Sequence, residues 1–396
     1  MAESPRNLSL FAYGFRPFFL AAGLAAVVLM LVWLVMSSGG VTPPGDWTGT
    51  VWHGHEMLFG YALAVIAGFM LTAVPNWVGG GHLAGGKLAA LVALWLAGRV
   101  LIALADVVPA GVVAAVDCAF PVALAVVLAP MPIAKRQWRN LPLLVLLLLL
   151  ALTNLRIHST VAGWQDGAPG DALLVALDIV LMLVLIMGGR VVPAFTRNFL
   201  RQPGADPGIN DPKPLIIVAV AAMLVVGLAD TIIPDVPLVA GLAALVAGVV
   251  STLRLARWRT WAIRGNALLW ILHAGYAALA AGLMLRGVAV LTSAVPVDLA
   301  VHVLTVGAVG ITTLAMLTRV SLGHTGRAMR LAWPVVVAYG MLIAAAIVRL
   351  AAPVLPDTLY TPALHLSGVL WAIAFALFVL VYAPILIQRR PDGKPG

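Results

Sequence analysis

Two imidazoles and a carboxylate stand together in Trp52-His53-Gly54-His55-Glu56. On a regular helix, residues at i and i+2 point about 200° apart. Either Gly54 keeps this stretch non-helical, so that both rings meet one metal, or each ring serves a different centre. Glu56 follows His53 by three positions and shares its helical face, where it would orient an imidazole or accept a proton. His302 and His365 sit singly inside apolar runs, and so does His273, with Trp270 and Tyr276 on its face. Neutral imidazole is the commonest protein ligand for copper and haem iron. His82 and His324 lie in polar loops and His158 closes an apolar run, positions that suit structural roles.

The elements that hold these groups must be membrane helices. Of 396 residues 62% are apolar and 10% charged, against about 25% charged in a soluble domain. That excludes a soluble enzyme, and the low charge excludes a disordered chain. About twelve apolar runs are long enough to span. The first six are Phe18–Ser37, His53–Trp77, Leu88–Val107, Ala110–Pro130, Leu141–His158 and Asp171–Val192. The second six are Leu215–Ile233, Val236–Leu255, Asn266–Leu285, Val297–Leu317, Ala332–Leu350 and Thr361–Ile387. Leu143 to Leu150 is unbroken aliphatic, which fits helices and not the alternation of membrane strands. The expected fold is therefore an all-α polytopic bundle forming one integral-membrane domain over residues 1–396.

Charge gives the orientation. The 24 Lys and Arg residues fall in alternate loops, from Arg6 and Arg16 to Arg389, Arg390 and Lys394. The exceptions are Arg156, Arg286 and Arg349 in the opposite loops and Arg99 within a span. Basic loops stay cytoplasmic, so both termini are expected there. The formal charge of +9 is dispersed between apolar runs and does not point to nucleic acid. On this topology His53, His55, His302 and His365 share the outer side within ~8 Å of depth. Four imidazoles from three spans at one level predict a metal or haem site. His273 lies nearer the cytoplasmic side, as a second site or a structural residue.

Arg99, Asp117 and Asp178 fall inside spans at ~10–12 Å depth. A charge in hydrocarbon costs roughly 3 kcal/mol, so they are expected to form a buried ion pair between helices or a proton relay. The stripes Gly60, Ala64, Gly68 and Gly368, Ala372 allow either close helix packing or room for a flat macrocycle. Gly81 to Lys87 spells G-x-x-x-x-G-K, but Leu88 replaces the magnesium-binding hydroxyl and no strand precedes it, so a flexible loop is the reading. Cys118, the single cysteine, rules out an internal disulfide and any multi-thiolate metal site, and the 13 methionines form no M-x-x-M run. No clear internal repeat stands out, and no pair of spans is broken by Gly or Pro at matching positions in the two halves.

Several motifs carry a family resemblance. They include Gly14-Phe15-Arg16-Pro17-Phe18-Phe19, Trp52-His53-Gly54-His55-Glu56-Met57 and Leu71-Thr72-Ala73-Val74-Pro75-Asn76-Trp77. Gly188-Gly189-Arg190-Val191-Val192-Pro193 and Leu272-His273-Ala274-Gly275-Tyr276 follow. The last are His302-Val303-Leu304-Thr305-Val306-Gly307, the run from Thr318 to Arg327, and Leu364-His365-Leu366-Ser367-Gly368. In these the chain resembles the NnrS family of bacterial membrane proteins over nearly its whole length. The resemblance implies an inner-membrane protein of the nitric oxide response that holds haem b and copper. His53, His55, His273, His302, His324 and His365 fall in its motifs, and His324 gains its functional weight from the match alone. No His-His pair is present, so the chain is not placed with the haem-copper oxidases.

The sequence reading is thus a haem–copper centre in the outer half of the membrane that binds nitric oxide; whether it also reduces or detoxifies it, which would need an external electron donor, is left open. Its site residues are Glu56 as the catalytic group, His53, His55, His302 and His365 as metal ligands, and His273, His302, His324 and His365 as cofactor-binding groups. A secondary transporter and a haem-based nitric oxide buffer or sensor are the rival readings. His302 or His365 replaced by Ala is expected to lose haem or copper, and His158→Ala to lose neither.

Overall fold

The computed structural model describes residues 9–203, 206–233, 236–292 and 294–393; Arg6 and Lys394, counted above for orientation, lie outside them. Helices carry the fold, and no β-strand forms among the described residues. In lipid every backbone amide must find its partner within the segment, so the aliphatic runs close on themselves as helices. Twelve are long and apolar enough to cross a membrane. They are α1 (Phe15–Ser37), α2 (Gly49–Val78), α3 (Gly85–Ala103), α4 (Ala110–Ala134), α5 (Leu141–Val161) and α6 (Pro169–Leu200). The others are α7 (Lys213–Ile232), α8 (Pro237–Ala256), α9 (Ala267–Thr292), α10 (Val297–His324), α11 (Trp333–Val354) and α12 (Asp357–Ile387). Val126, Leu152, Ile217, Ile347 and Leu380 are each more than half exposed. So many bare aliphatic side chains belong against lipid. The molecule is a multi-pass membrane protein.

Local chemistry sets the ends. The Thr48 hydroxyl accepts from the Val51 amide at 3.4 Å and starts α2, as N-cap side chains do. Gly79 takes φ +67° and stops it, with the Gly80 amide donating to the Pro75 carbonyl at 2.9 Å, a left-handed helix terminus. Prolines sit in the first turns of α5, α7, α8 and α11, where their missing amide costs nothing. The helices run further than the minimal apolar runs. Arg156, Arg286 and Arg349, expected in loops, lie within α5, α9 and α11, and His324 is the last residue of α10. Gly54 does not interrupt α2, because Gly49–His55 is regular helix.

Two stretches within the spans are wider than α geometry. Glu56–Ala62 in α2 and Val303–Gly310 in α10 are π-helical, a widening that concentrates at functional sites. Each follows directly on a histidine, His55 and His302.

The helices gather into two compact units: Met1–Ala176 with Leu317–Met329 and Phe375–Gly396, and Leu177–Met316 with Arg330–Ala374. In the first unit α1 packs along the small residues of α2. A Cβ on Gly68 would lie 2.7 Å from Phe19 Cδ1, and one on Gly60 would lie 2.9 Å from Leu29 Cδ1 and 3.3 Å from Arg99 Cδ. The Gly60–Ala64–Gly68 stripe is therefore a packing seam filled by side chains and not a slot for a macrocycle. The buried Arg16 donates through Nη1 to the carbonyls of Leu386 at 2.7 Å and Gln388 at 2.8 Å, placing its charge at the negative end of α12.

In the second unit α8 and α9 meet through Gly241, Gly248 and Gly287. A Cβ on Gly248 would stand 2.6 Å from Met284 Cγ and 2.8 Å from the Ala280 carbonyl oxygen. Backbone cannot yield as a side-chain tip can. Gly248→Leu is therefore expected to lower stability by about 1–3 kcal/mol, read as a fall in the thermal unfolding midpoint in detergent, with Gly340→Leu, which meets open space, as the neutral comparison.

Candidate metal centre

The first unit buries a polar cluster whose core is His55, Asp117 and His158. One ligand atom from each lies within 4.8 Å of the others, and all three side chains are buried. α2 supplies His55, α4 supplies Asp117, and α5 supplies His158 together with Asn154. Asp117 Oδ2 is the hub: His158 Nε2 donates to it at 3.0 Å and Asn154 Nδ2 at 2.7 Å. His55 Nε2 is 3.1 Å from the same oxygen and donates to Asn154 Oδ1 at 2.7 Å. His55 Nδ1 meets Glu56 Oε1 at 3.2 Å. Arg99 on α3 donates to both Glu56 and Asp117. Trp47 packs edge-on against both imidazoles, with ring centroids 4.9 Å from His55 and 5.3 Å from His158, and Phe59 stacks on His55 at 4.9 Å.

Two features of this geometry call for a cation. Both nitrogens of His55 face acceptors, Glu56 on one side and Asn154 with Asp117 on the other. The ring can meet both sides with two protons, with one proton on Nδ1 and a metal on Nε2, or with one proton on Nε2 and a protonated Glu56 on Nδ1. Charge gives the same answer. Glu56 and Asp117 against Arg99 leave one negative charge in hydrocarbon, where an unbalanced charge is costly. One proton or one monovalent ion closes the account, and two imidazoles with a carboxylate offer donors that copper(I) can use.

The sequence-derived residues divide between surroundings. The His53 ring does not turn toward the cluster; it stacks on Trp33 at 4.6 Å, so the regular helix sends the two rings of the H-x-H motif to different neighbours. Glu56 serves His55 and Arg99. Arg99 and Asp117 form the buried ion pair expected of them. Asp178 belongs to a second set, paired with Arg286, which also holds Asp230. His273 donates or accepts at both nitrogens, 2.9 Å from the hydroxyls of Thr196 and Thr260. His302 donates from Nδ1 to the Asp298 carbonyl at 2.8 Å and lies 3.0 Å from its carboxylate. His365 is half-buried on α12 in the second unit. His324 lies against Phe15 with centroids 5.7 Å apart. His82 packs on Tyr13 at 4.3 Å, and burial pushes its imidazole pKa down.

His158 is the residue that sequence reasoning missed. Its place at the end of a span suggested a structural role, whereas its Nε2 shares Asp117 with His55. The signal was present: Asn154 and His158, at i and i+4, put two polar groups on one face of an otherwise aliphatic helix.

The NnrS protein family model matches residues 9–390. The chain belongs to the NnrS family. No curated protein matches it. In this NnrS chain the match covers every helix described above, so the cluster is part of the family's own fold and not of an added domain.

Removing one partner of a buried ion pair costs about 3–5 kcal/mol. Arg99→Leu, which leaves Glu56 and Asp117 facing each other, is expected to lose that much, seen as lower yield of monodisperse protein and an earlier thermal midpoint. A midpoint equal to that of the unaltered protein would show that the charges are solvated.

Proposed function

We propose that this NnrS-family chain is an inner-membrane protein of the nitric oxide response, holding copper and haem b and binding nitric oxide at them. The observation that carries the reading is the buried His55–Asp117–His158 cluster, whose geometry and charge call for one more cation. His55 Nε2, His158 Nε2 and Asp117 Oδ2 would hold copper. Glu56 accepts the Nδ1 proton of His55 and thereby commits Nε2 to the metal, a positioning role of the kind that raises ligand basicity. Arg99 holds both carboxylates in place. For haem iron, the donors that suit the role are the second unit's His302 and His365. His273 gives both nitrogens to hydroxyls and is assigned a structural role; His53 and His324 stay candidates through their family motifs.

Bound copper would supply an open coordination position for nitric oxide. The ligand is small and uncharged, so it can reach a buried site through lipid without a polar channel. Reduction to nitrous oxide would consume protons and electrons. Asp117, His158 and Glu56 are the proton-holding groups at hand, and the electrons come from an external donor. The Lys and Arg distribution supports cytoplasmic termini.

The test is copper and haem content after purification in mild detergent. Copper at about one per chain and a Soret band are expected. His55→Ala and His158→Ala should abolish the copper. Glu56→Gln should weaken it by about 10–100-fold, and His82→Ala should leave it intact. Consumption of nitric oxide with added reductant marks turnover, and reversible binding alone marks a buffer. Colourless, copper-free protein from haem- and copper-replete cells would remove the proposal and favour a transporter.

A further inference from the structure

Three arginines gather at one end of the first unit. Arg16 lies in the first turn of α1, Arg327 three residues beyond the end of α10, and Arg390 three residues beyond the end of α12. The charges of Arg327 and Arg390 both act on Arg16. The turn after α10 is built against the tail after α12. Arg390 donates through Nη1 to the His324 carbonyl at 2.9 Å, and through Nε and Nη2 to Asp392 at 2.9 and 2.6 Å. Gly326 takes φ +67°, and a Cβ there would lie 2.8 Å from Asp392 Oδ2 and 3.0 Å from Arg390 Nη2. Only glycine suits that position, which fixes where the next residue, Arg327, emerges.

Two of the three cations have evident duties. Arg16 donates to carbonyls at the end of α12, and Arg390 pairs with Asp392. Arg327 has none: its Nη1 is buried without a hydrogen-bond partner, and burial pushes its guanidinium pKa down. A buried donor without an acceptor is costly, the more so when it is charged, and like charges close by add to the cost. A second orphan donor or acceptor stands at the same end. His82 Nδ1 is also buried without a hydrogen-bond partner, and His324 lies within electrostatic reach of both His82 and Arg390. His82 comes from the Gly81–Lys87 loop, which is held in place where the Gly85 amide donates to the Phe11 carbonyl at 2.8 Å. An anion is the partner this end lacks. A guanidinium fork engages two phosphate oxygens at once and leaves the others free to accept from further donors.

We propose that this end of the first unit is a phosphate-binding site, in which Arg327 donates to the phosphate oxygens and Arg16 and Arg390 supply the surrounding positive field. It shares no residue with the His55–Asp117–His158 cluster and does not depend on the metal reading. The phosphate belongs either to an anionic lipid headgroup at the membrane surface or to a soluble phosphate compound, and the probes below tell these apart.

The experiment uses the full-length protein, stripped of lipid, in a maltoside detergent that carries no phosphate. Inorganic phosphate and dihexanoylphosphatidylglycerol are titrated separately at constant ionic strength, with bound probe read by native mass spectrometry. At least one is expected to bind saturably, and Arg327→Gln to weaken it about 10–100-fold. Arg327→Lys, which keeps the charge and loses the fork, should fall between. Arg330→Gln, which removes an exposed neighbouring charge, should leave binding unchanged. Lipid binding that inorganic phosphate does not displace identifies a headgroup site, and binding of inorganic phosphate that excludes the lipid identifies a soluble ligand. The Arg327→Gln protein without probe should melt no earlier than the unaltered protein, since the orphan donor is gone. An earlier melt would show that the protein itself already satisfies Arg327, and would overturn the inference. So would saturable binding of neither probe, equal binding by Arg327→Gln, or an equal loss in Arg330→Gln, the mark of diffuse surface charge.

Discussion

One guanidinium between two carboxylates, in a medium that tolerates no unbalanced charge, organises the first unit. Arg99 must reach Glu56 and Asp117 together, and that fixes α2, α3 and α4 around a common point. The net charge left over then dictates the chemistry of what surrounds it. His55 and His158 turn toward Asp117, and Asn154 bridges the imidazole and the carboxylate. A buried ion pair is poor evidence of stability, since desolvation offsets much of the attraction. Its value here is specificity: a polar cluster with two imidazoles, packed against Trp47 and Phe59.

Much of the fold was legible in the sequence. Hydrophobic length alone gives the twelve spans, because the bilayer leaves the chain few alternatives, and Arg99 with Asp117 stood out as charges in hydrocarbon. Span ends were less legible: Arg286 and Arg349 looked like loop residues because charge usually ends an apolar run, yet both are buried in longer helices against carboxylates. The candidate site was half legible. His55 and Glu56 stand together in the H-x-H-E motif and in the cluster, whereas the stacking of His53 on Trp33 is a tertiary contact that no spacing in the sequence announces. His158 was set aside because depth along a span says nothing about which way a helix faces. That information resides in packing, here in the contact of α4 with α5.

The second unit uses the same materials. Arg286 gathers Asp178 and Asp230, and Arg349 holds Asp298 beside His302. Basic residues within spans thus recur as clamps on carboxylates, and histidines recur where a π-helical stretch begins. In this way a small number of polar residues, spread over a largely aliphatic chain, is enough to build defined sites.

The most direct measurement is anomalous X-ray scattering at the copper absorption edge from crystals of the copper-loaded protein. The account predicts an anomalous peak among His55 Nε2, His158 Nε2 and Asp117 Oδ2. Anomalous density confined to other residues, with an ordered and empty His55–Asp117–His158 cluster in the same map, would contradict it.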